Sequence, residues 1–293
     1  MDFEYLNIGC VCRAKTATEA WEYWYKELES LHERDFHDSS RDGDVVGEFI
    51  NAITVISDPT RNIVESDMRK LNKRYMIGEM LWYLSANNNL SEIQKYTHAW
   101  DRMSEDGVTV NSNYGHKIHK FYGFDQWEFV RDMLKNDPNS RQAVIHIKDP
   151  GVHPKDTPCT ICLQFLIRDN KLHLTVYMRS NDVWMGFPYD VFTFTCYQIR
   201  MAMELGVDIG SYTHISGSLH LYERNSQLKK TDTVTVPSSA DITTCGMTRE
   251  ECTDLWLIGA EVDNKFMAEQ CQSESEVTND IGSTSDKENL TES

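Results

Sequence analysis

From Thr16 to Leu31 the apolar positions recur at three- and four-residue intervals. Trp21, Trp24, Tyr25, Leu28 and Leu31 fall on one stripe, and Thr16 with Glu19 has capping-box spacing, which predicts an amphipathic helix. A short strand-like start precedes it, and the polar run at 33–46 predicts a loop. Phe49 to Ile56 is strand-like and Asp58-Pro59 turns the chain. A second helix is expected from about Met68 to Ala86, apolar through Met76, Ile77, Met80, Leu81 and Leu84, and stopped by Asn87-Asn88-Asn89. Ser91 and Gln94 cap a third, with Ile93, Tyr96, Thr97 and Trp100 at helical spacing.

The second half is richer in strands. Ala143 to Ile147 is one, and Ile161–Arg168 with Leu172–Met178 reads as a hairpin closed by Asp169-Asn170, a pair that tolerates positive φ. Tyr189 to Leu205 predicts a long helix ended by Gly206, followed by strands at Ile209–Ile215 and Leu219–Tyr222. Helices and strands alternate without a strict βαβ rhythm and no internal repeat is visible, which favours an α+β fold over a doubly wound sheet. Gln272 to the end carries one Lys against six acids and almost nothing apolar. The expected organisation is therefore one domain over 1–271 and an acidic disordered tail over 272–293.

Composition narrows the function classes. The chain has 293 residues, 40% of them hydrophobic, enough for a packed core. Its 29 Lys+Arg against 46 Asp+Glu give a net charge of −17, which argues against a nucleic-acid partner. No apolar run reaches the length of a membrane span, and the start MDFEYLNIGCVC lacks a basic region followed by an apolar one. A cytoplasmic chain with reduced thiols is expected, and no membrane partner. The eight cysteines are irregularly placed and fit neither a disulfide framework nor paired zinc knuckles, so no metal is expected.

The densest chemistry lies between Asp156 and Asp190. Cys159-x-x-Cys162 opens an apparent strand rather than a helix, which suits a redox pair poorly, and no second ligand pair accompanies it for a metal. Cys159 by itself follows Pro158 at a loop-to-strand junction, and the hairpin returns Arg179 and Ser180 beside it. A nearby guanidinium favours the thiolate, the form that attacks carbon, although a lone cysteine is ordinarily just buried. Glu79 sits in an apolar helix (MIGEMLWYL). It is either an edge residue or a buried carboxyl suited to general acid/base work. Asp190 closes the turn MGFPYD at a helix start, where a simple cap is the plain alternative. His220 and Tyr222 alternate on one strand and so share a face.

Together these segments resemble the thymidylate synthase superfamily. YMRSNDVWMGFPYD is similar to the family's phosphate and base segment, GSLHLYERN to its D-x-HLY segment, and PCT to the nucleophile's Pro-Cys-His. GEMLWYL is similar to its Glu-bearing helix and DPNSRQ to its partner-subunit phosphate arginines. Order and spacing agree from roughly residue 45 to 230. The departures resemble the phage deoxycytidylate hydroxymethylases: the family's base-reading Asn is Asp190 here, its His after the nucleophile is Thr160, and NSNYG (Asn111 to Gly115) also fits that branch. The exchange at Asp190 has a physical logic. Cytosine offers a 4-amino donor and, once N3 is protonated, a second donor, and a carboxylate accepts both.

The resemblance implies a thymidylate synthase-like fold whose mixed sheet forms a homodimer interface, with helices on the other side. It implies 5,10-methylenetetrahydrofolate as co-substrate and a nucleotide monophosphate as substrate. Cys159 would add to C6 of the pyrimidine, making C5 nucleophilic toward the one-carbon unit, with Glu79 moving protons through ordered water and Asp190 reading the base. Loss of tetrahydrofolate leaves an exocyclic methylene, which a hydroxymethylase hydrates and a methyltransferase or synthase reduces. Arg179 and Ser180 would bind the 5′-phosphate with Arg141 from a second subunit. Gln142 replaces a family arginine, leaving compensation to Arg61 or Arg69. His220 and Tyr222 would meet the sugar 3′-hydroxyl, Tyr114 and Asp182 would wall the pocket, and Trp100, Asp182 and Gly186 would face the folate. A non-catalytic nucleotide- or RNA-binding relative is the alternative of a different class. Cys159, Glu79 and Arg179 together argue against it.

Overall fold

The computed structural model describes residues 7–31, 36–38, 44–151, 153 and 155–226. The expected boundary at 271 and the acidic segment 272–293 lie outside the described residues. Among the described residues one mixed sheet carries the fold. Its path runs β1 (Val11–Ala14), β3 (Val45–Ile56), β8 (Asp208–Tyr222), β6 (Lys171–Met178), β5 (Thr160–Arg168), β4 (Val144–His146), with β2 (Phe36–Asp38) against β3 and β7 (Asn181–Asp182) against β8. β8 is antiparallel to β3 and parallel to β6, so the architecture is α+β with a mixed sheet, as expected.

The helices are α1 (Ala17–Glu29), α2 (Lys73–Leu84), α3 (Leu90–Gln94), α4 (Tyr114–His119), α5 (Gln126–Asn136) and α6 (Phe187–Leu205). Thr16 caps α1 by accepting from Glu19 N at 3.2 Å, while the Glu19 carboxylate reaches back to Lys15 N at 2.7 Å. Of the expected stripe Trp21, Trp24, Tyr25 and Leu28 are buried in α1, while Leu31 lies past its end and is half-buried. The two indoles find acceptors, Trp21 Nε1 donating to Val183 O (2.9 Å) and Trp24 Nε1 to Thr54 Oγ1 (2.7 Å). α6 packs on β6 and β8, and the Gln198 amide bridges both strands by donating to Leu172 O (2.9 Å) and Gly210 O (3.2 Å).

Side chains alternate across the sheet. Leu172, Leu174 and Val176 of β6 and Tyr212, His214 and Ser216 of β8 are buried on the helix side. On the other side Val11, Ile53, Val55, Cys162, Gln164, Leu166, Tyr177 and Ile215 stay half-buried or exposed among the described residues. The Asp169-Asn170 hairpin forms as predicted, with φ of 51° and 58°.

Elsewhere the boundaries move. The loop expected over 33–46 contains β2, and β3 begins at Val45. α2 starts at Lys73, not Met68, because Asn72 caps it by accepting from Tyr75 N at 3.0 Å. α3 is one short turn beginning before Ser91, with Asn89 at its N-cap. The two strands expected in 209–222 are one continuous strand, since pairing with β3 spans the small residues Ser216 to Ser218. α4 and α5 had no sequence expectation.

Candidate active site

The mouth of the β5–β6 hairpin brings Cys159 and Arg179 together. Arg179 N donates to Cys159 O at 2.8 Å. Its guanidinium donates to Pro158 O (3.1 Å) and Thr157 O (3.0 Å), and reaches Cys159 Sγ at 3.5 Å. β8 passes close behind: a Cβ at Gly217 would lie 2.9 Å from Arg179 O, and Ser218 N donates to that oxygen at 3.2 Å. Ser180 follows Arg179 and is half-buried. The register slips between Thr160 and Cys162, and Cys162 then falls on the half-exposed face opposite Tyr177. Cys159 and Cys162 are both in the reduced, thiol form, and burial pushes the Cys162 thiol up.

Two acidic side chains converge on the same region. Glu79 of α2 is 6% exposed, and burial raises its carboxyl from the ordinary range to about 8, against the lowering effect of hydrogen bonds from Tyr75 and Tyr83. The Tyr75 hydroxyl donates to Glu79 Oε1 and in turn accepts from Trp100 Nε1 at 3.2 Å. Asp190 lies in the first turn of α6, and burial raises it to about 7. Its Oδ2 accepts from Asn181 Nδ2 at 2.7 Å. The charge of Asp190 helps to raise Glu79, and Tyr114 links both to the nucleophile: Glu79, Asp190 and Cys159 all act on its phenol, and its ring stacks on Tyr83 (5.0 Å) and Phe194 (5.5 Å).

At the far end of β8, His220 and Tyr222 share a face with their rings edge-on at 5.2 Å. β7 pairs Asp182 with His220. Asp182 Oδ1 accepts from Trp184 N (2.8 Å) and Met185 N (3.2 Å), which shapes the turn leading to Gly186. Burial lowers His220 and raises Asp182, and the charge of each opposes the other's shift. Arg69 lies over Trp184 (5.4 Å) and Tyr189 (5.9 Å) and donates to Trp184 O at 3.1 Å.

Arg141 is not in this group. It is exposed, its carbonyl accepting from Gln164 on the half-exposed sheet face, while Arg61 is exposed in the turn after β3. Three residues in the cluster were missed in the sequence. Tyr75 stands one helical turn before Glu79, a signal that was available. Glu48 faces His220 across the β3–β8 ladder and accepts from Ser218 Oγ, a proximity that only register creates. Asn181 meets Asp190 because β7, a tight turn and the first turn of α6 fold together. Among the described residues, no group of three or more His, Cys, Asp or Glu side chains is placed to hold a metal, and no helix is long and apolar enough to cross a membrane.

The thymidylate synthase family model matches residues 22–247. The chain is also similar to the deoxyuridylate hydroxymethyltransferase of Bacillus phage SP01, at 32% identity over 206 residues, covering 62% of this chain and 54% of that one. It thus spans about half the length of the curated relative it matches. A family match over most of the chain, on a mixed sheet that brings Arg179 to Cys159 and sets both Cys159 and Glu79 to act on Tyr114, means that the chain belongs to the thymidylate synthase family.

Proposed function

We propose that this chain is a pyrimidine nucleotide 5-hydroxymethyltransferase acting on (d)CMP, with 5,10-methylenetetrahydrofolate as one-carbon donor. The observation that carries the reading is Asp190, a carboxyl within electrostatic reach of Glu79 and facing the nucleophile's neighbourhood, where the family has an amide. Cys159 adds to C6 of the base, and the Arg179 donor on its sulfur supports the anionic nucleophile. Glu79 holds a proton at neutral pH because of its burial, so it can give that proton to the base and recover it as C5 loses its hydrogen. Asp190 takes the 4-amino and N3 edge. Arg179 and Ser180 hold the 5′-phosphate, with Arg141 supplied by a second copy of the chain. His220 and Tyr222 meet the sugar hydroxyl.

Methylenetetrahydrofolate supplies an electrophilic carbon when bound. The residues that would meet its flat ring and anionic tail are Trp184 beneath Arg69, the half-buried Trp100 and the exposed Met185, alongside Asp182 and Gly186. The sheet face that stays half-exposed among the described residues, with Ile53, Val55, Leu166, Tyr177 and Ile215, supports a homodimer; a stable, active monomer in sedimentation would remove Arg141 from the site.

A second reading keeps the reaction and changes the base to uracil. A neutral Asp190 offers one donor and one acceptor, as an amide does, and the phage relative is named for deoxyuridylate. Mass spectrometry of the products from CMP, dCMP and dUMP with methylenetetrahydrofolate tests both. A hydroxymethylated cytosine nucleotide is expected. Turnover of dUMP alone overturns the cytosine assignment, and absence of C5 tritium release from every nucleotide overturns catalysis.

A further inference from the structure

Asn181 has no part in the chemistry above, yet it is built into the site. It is 3% exposed, and its backbone is held by β7 pairing with Leu219 of β8. Its Nδ2 donates to Asp190 Oδ2 at 2.7 Å. Its own Oδ1 is buried with no hydrogen-bond partner among the described residues. Gly186 leaves room for the contact: a Cβ there would come within 3.0 Å of Asn181 Nδ2 and 3.3 Å of Asp190 Oδ2.

A lone carboxyl is a poor reader of bases. In its neutral form the proton can sit on either oxygen, so it can present donor and acceptor in either order. Cytosine needs a donor at N3 and an acceptor at its amino group, whereas uracil needs the reverse. An N–H fixed on one oxygen breaks this symmetry, because that oxygen is already an acceptor and the proton goes to the other. An ionised Asp190 only accepts, so it too holds the amide with N–H toward it and the carbonyl away.

We propose that Asn181 is a specificity-determining residue for a 4-aminopyrimidine: its Nδ2 pins Asp190 Oδ2 as the acceptor for one amino hydrogen, and its free Oδ1 accepts the other. A uracil O4 in that place would face the Asn181 carbonyl, two acceptors with no proton between them. The inference rests on the nucleotide reading above and deepens it. The groups acting on Asp190 from the elements around it are Glu79 and Tyr83 on α2, Tyr114 on α4 and Tyr212 on β8, none of them a cation. Asn181 is therefore the neighbour that favours the carboxylate, and removing it raises Asp190 further.

The test is kcat/KM for dCMP and dUMP from pH 5.5 to 8.5 on the wild type, Asn181→Ala and Gly186→Ala, with Asn181→Ala repeated on an Asp190→Asn background. Asn181→Ala is expected to lower the dCMP-to-dUMP ratio by about tenfold or more and to move the Asp190-dependent limb of the dCMP profile to higher pH. Gly186→Ala, which presses on the contact without deleting it, should shift the ratio in the same direction by less. On Asp190→Asn the effect of Asn181→Ala on the ratio should be smaller, since only the Asn181 Oδ1 contact to the amino group is left to lose, and no pH limb should move. An equal loss for the two bases with an unmoved pH limb would make Asn181 merely structural and overturn the proposal. If the wild type turns over neither nucleotide, the catalytic reading fails, and calorimetric affinities of the same variants then decide. A selective loss of dCMP affinity supports the role of Asn181, while an equal loss, or no binding by the wild type, overturns it.

Discussion

Two clusters of buried charge lie on the way to Cys159, and they are resolved in opposite ways. In α4, Lys117 is 0% exposed and donates to Asp149 Oδ2 (2.7 Å) and Asn111 Oδ1 (2.8 Å), with Phe121 stacked at 3.2 Å from its ammonium. Asp149 also accepts from Gly151 N (2.7 Å) and bonds His153 Nε2 (2.8 Å), and these partners hold its carboxyl well below the usual range. Among the described residues Glu79 and Asp190 have no such cation, and burial pushes them up to about 8 and about 7. A satisfied ion pair serves as a strut. Here it ties the start of α4 to the chain leading into the nucleophile, helped by Ser112 N on Asp156 Oδ2 (2.9 Å). Carboxyls left short of partners remain able to exchange protons near neutral pH, as acid/base chemistry requires.

The sharpest way to separate the clusters is to remove chemistry without touching either. Cys159→Ala should abolish turnover and C5 tritium exchange while leaving nucleotide binding and the denaturation midpoint near wild type, and Cys162→Ala should retain substantial activity. Two variants with matching defects would return the pair to a structural or redox role.

Breaking the strut should act on stability first. Lys117→Met leaves Asp149 buried without its cation and should cost on the order of 3–5 kcal/mol in urea unfolding. A change below about 1 kcal/mol would mean that Asp149 finds water instead.

With the base held as its N3-protonated form against the Asp190 carboxylate, Asp190→Asn should swing the preference from cytosine to uracil by roughly a hundredfold, about 3 kcal/mol, through one lost charge-assisted bond and one donor–donor clash. If Asp190 merely capped α6, both the ratio of specificity constants and stability would stay put.

The smallest effect is in the pH dependence of stability. Glu79 and Asp190 keep their protons in the folded chain up to about 8 and about 7, while unfolded carboxyls release them near ~4. Across that window the folded state binds more protons, so their contribution to stability falls as pH rises. Asp149 behaves oppositely: its contribution is present above ~4 and is lost as pH falls toward its depressed folded value. Glu79→Gln and Asp190→Asn should therefore flatten the decline in Tm between pH 5 and 8, and a slope unchanged from wild type would contradict their raised values.

Much of this was legible along the chain where the determinant is local. Thr16 and Glu19 set the start of α1, Asp169-Asn170 set the hairpin, and Gly206 ends α6 with φ of 68°. The placing of Cys159 at the hairpin mouth and of His220 with Tyr222 on one face also followed from strand periodicity and turn chemistry. Asn72 was the local signal that went unread, and it moved the start of α2 by five residues from Met68 to Lys73.

What tertiary structure alone decided are contacts between groups that chain periodicity does not relate. Glu48 reaches Ser218 only through the β3–β8 register, and Lys117 meets Asp149 only because α4 docks over the segment after β4. The protonation of Glu79 and Asp190 belongs to the same class. A sequence states that two carboxyls exist and which elements carry them, but burial and the absence of a nearby cation set their charge. Both are properties of how the elements pack, because desolvation and Coulomb energy depend on distance through space and not along the chain.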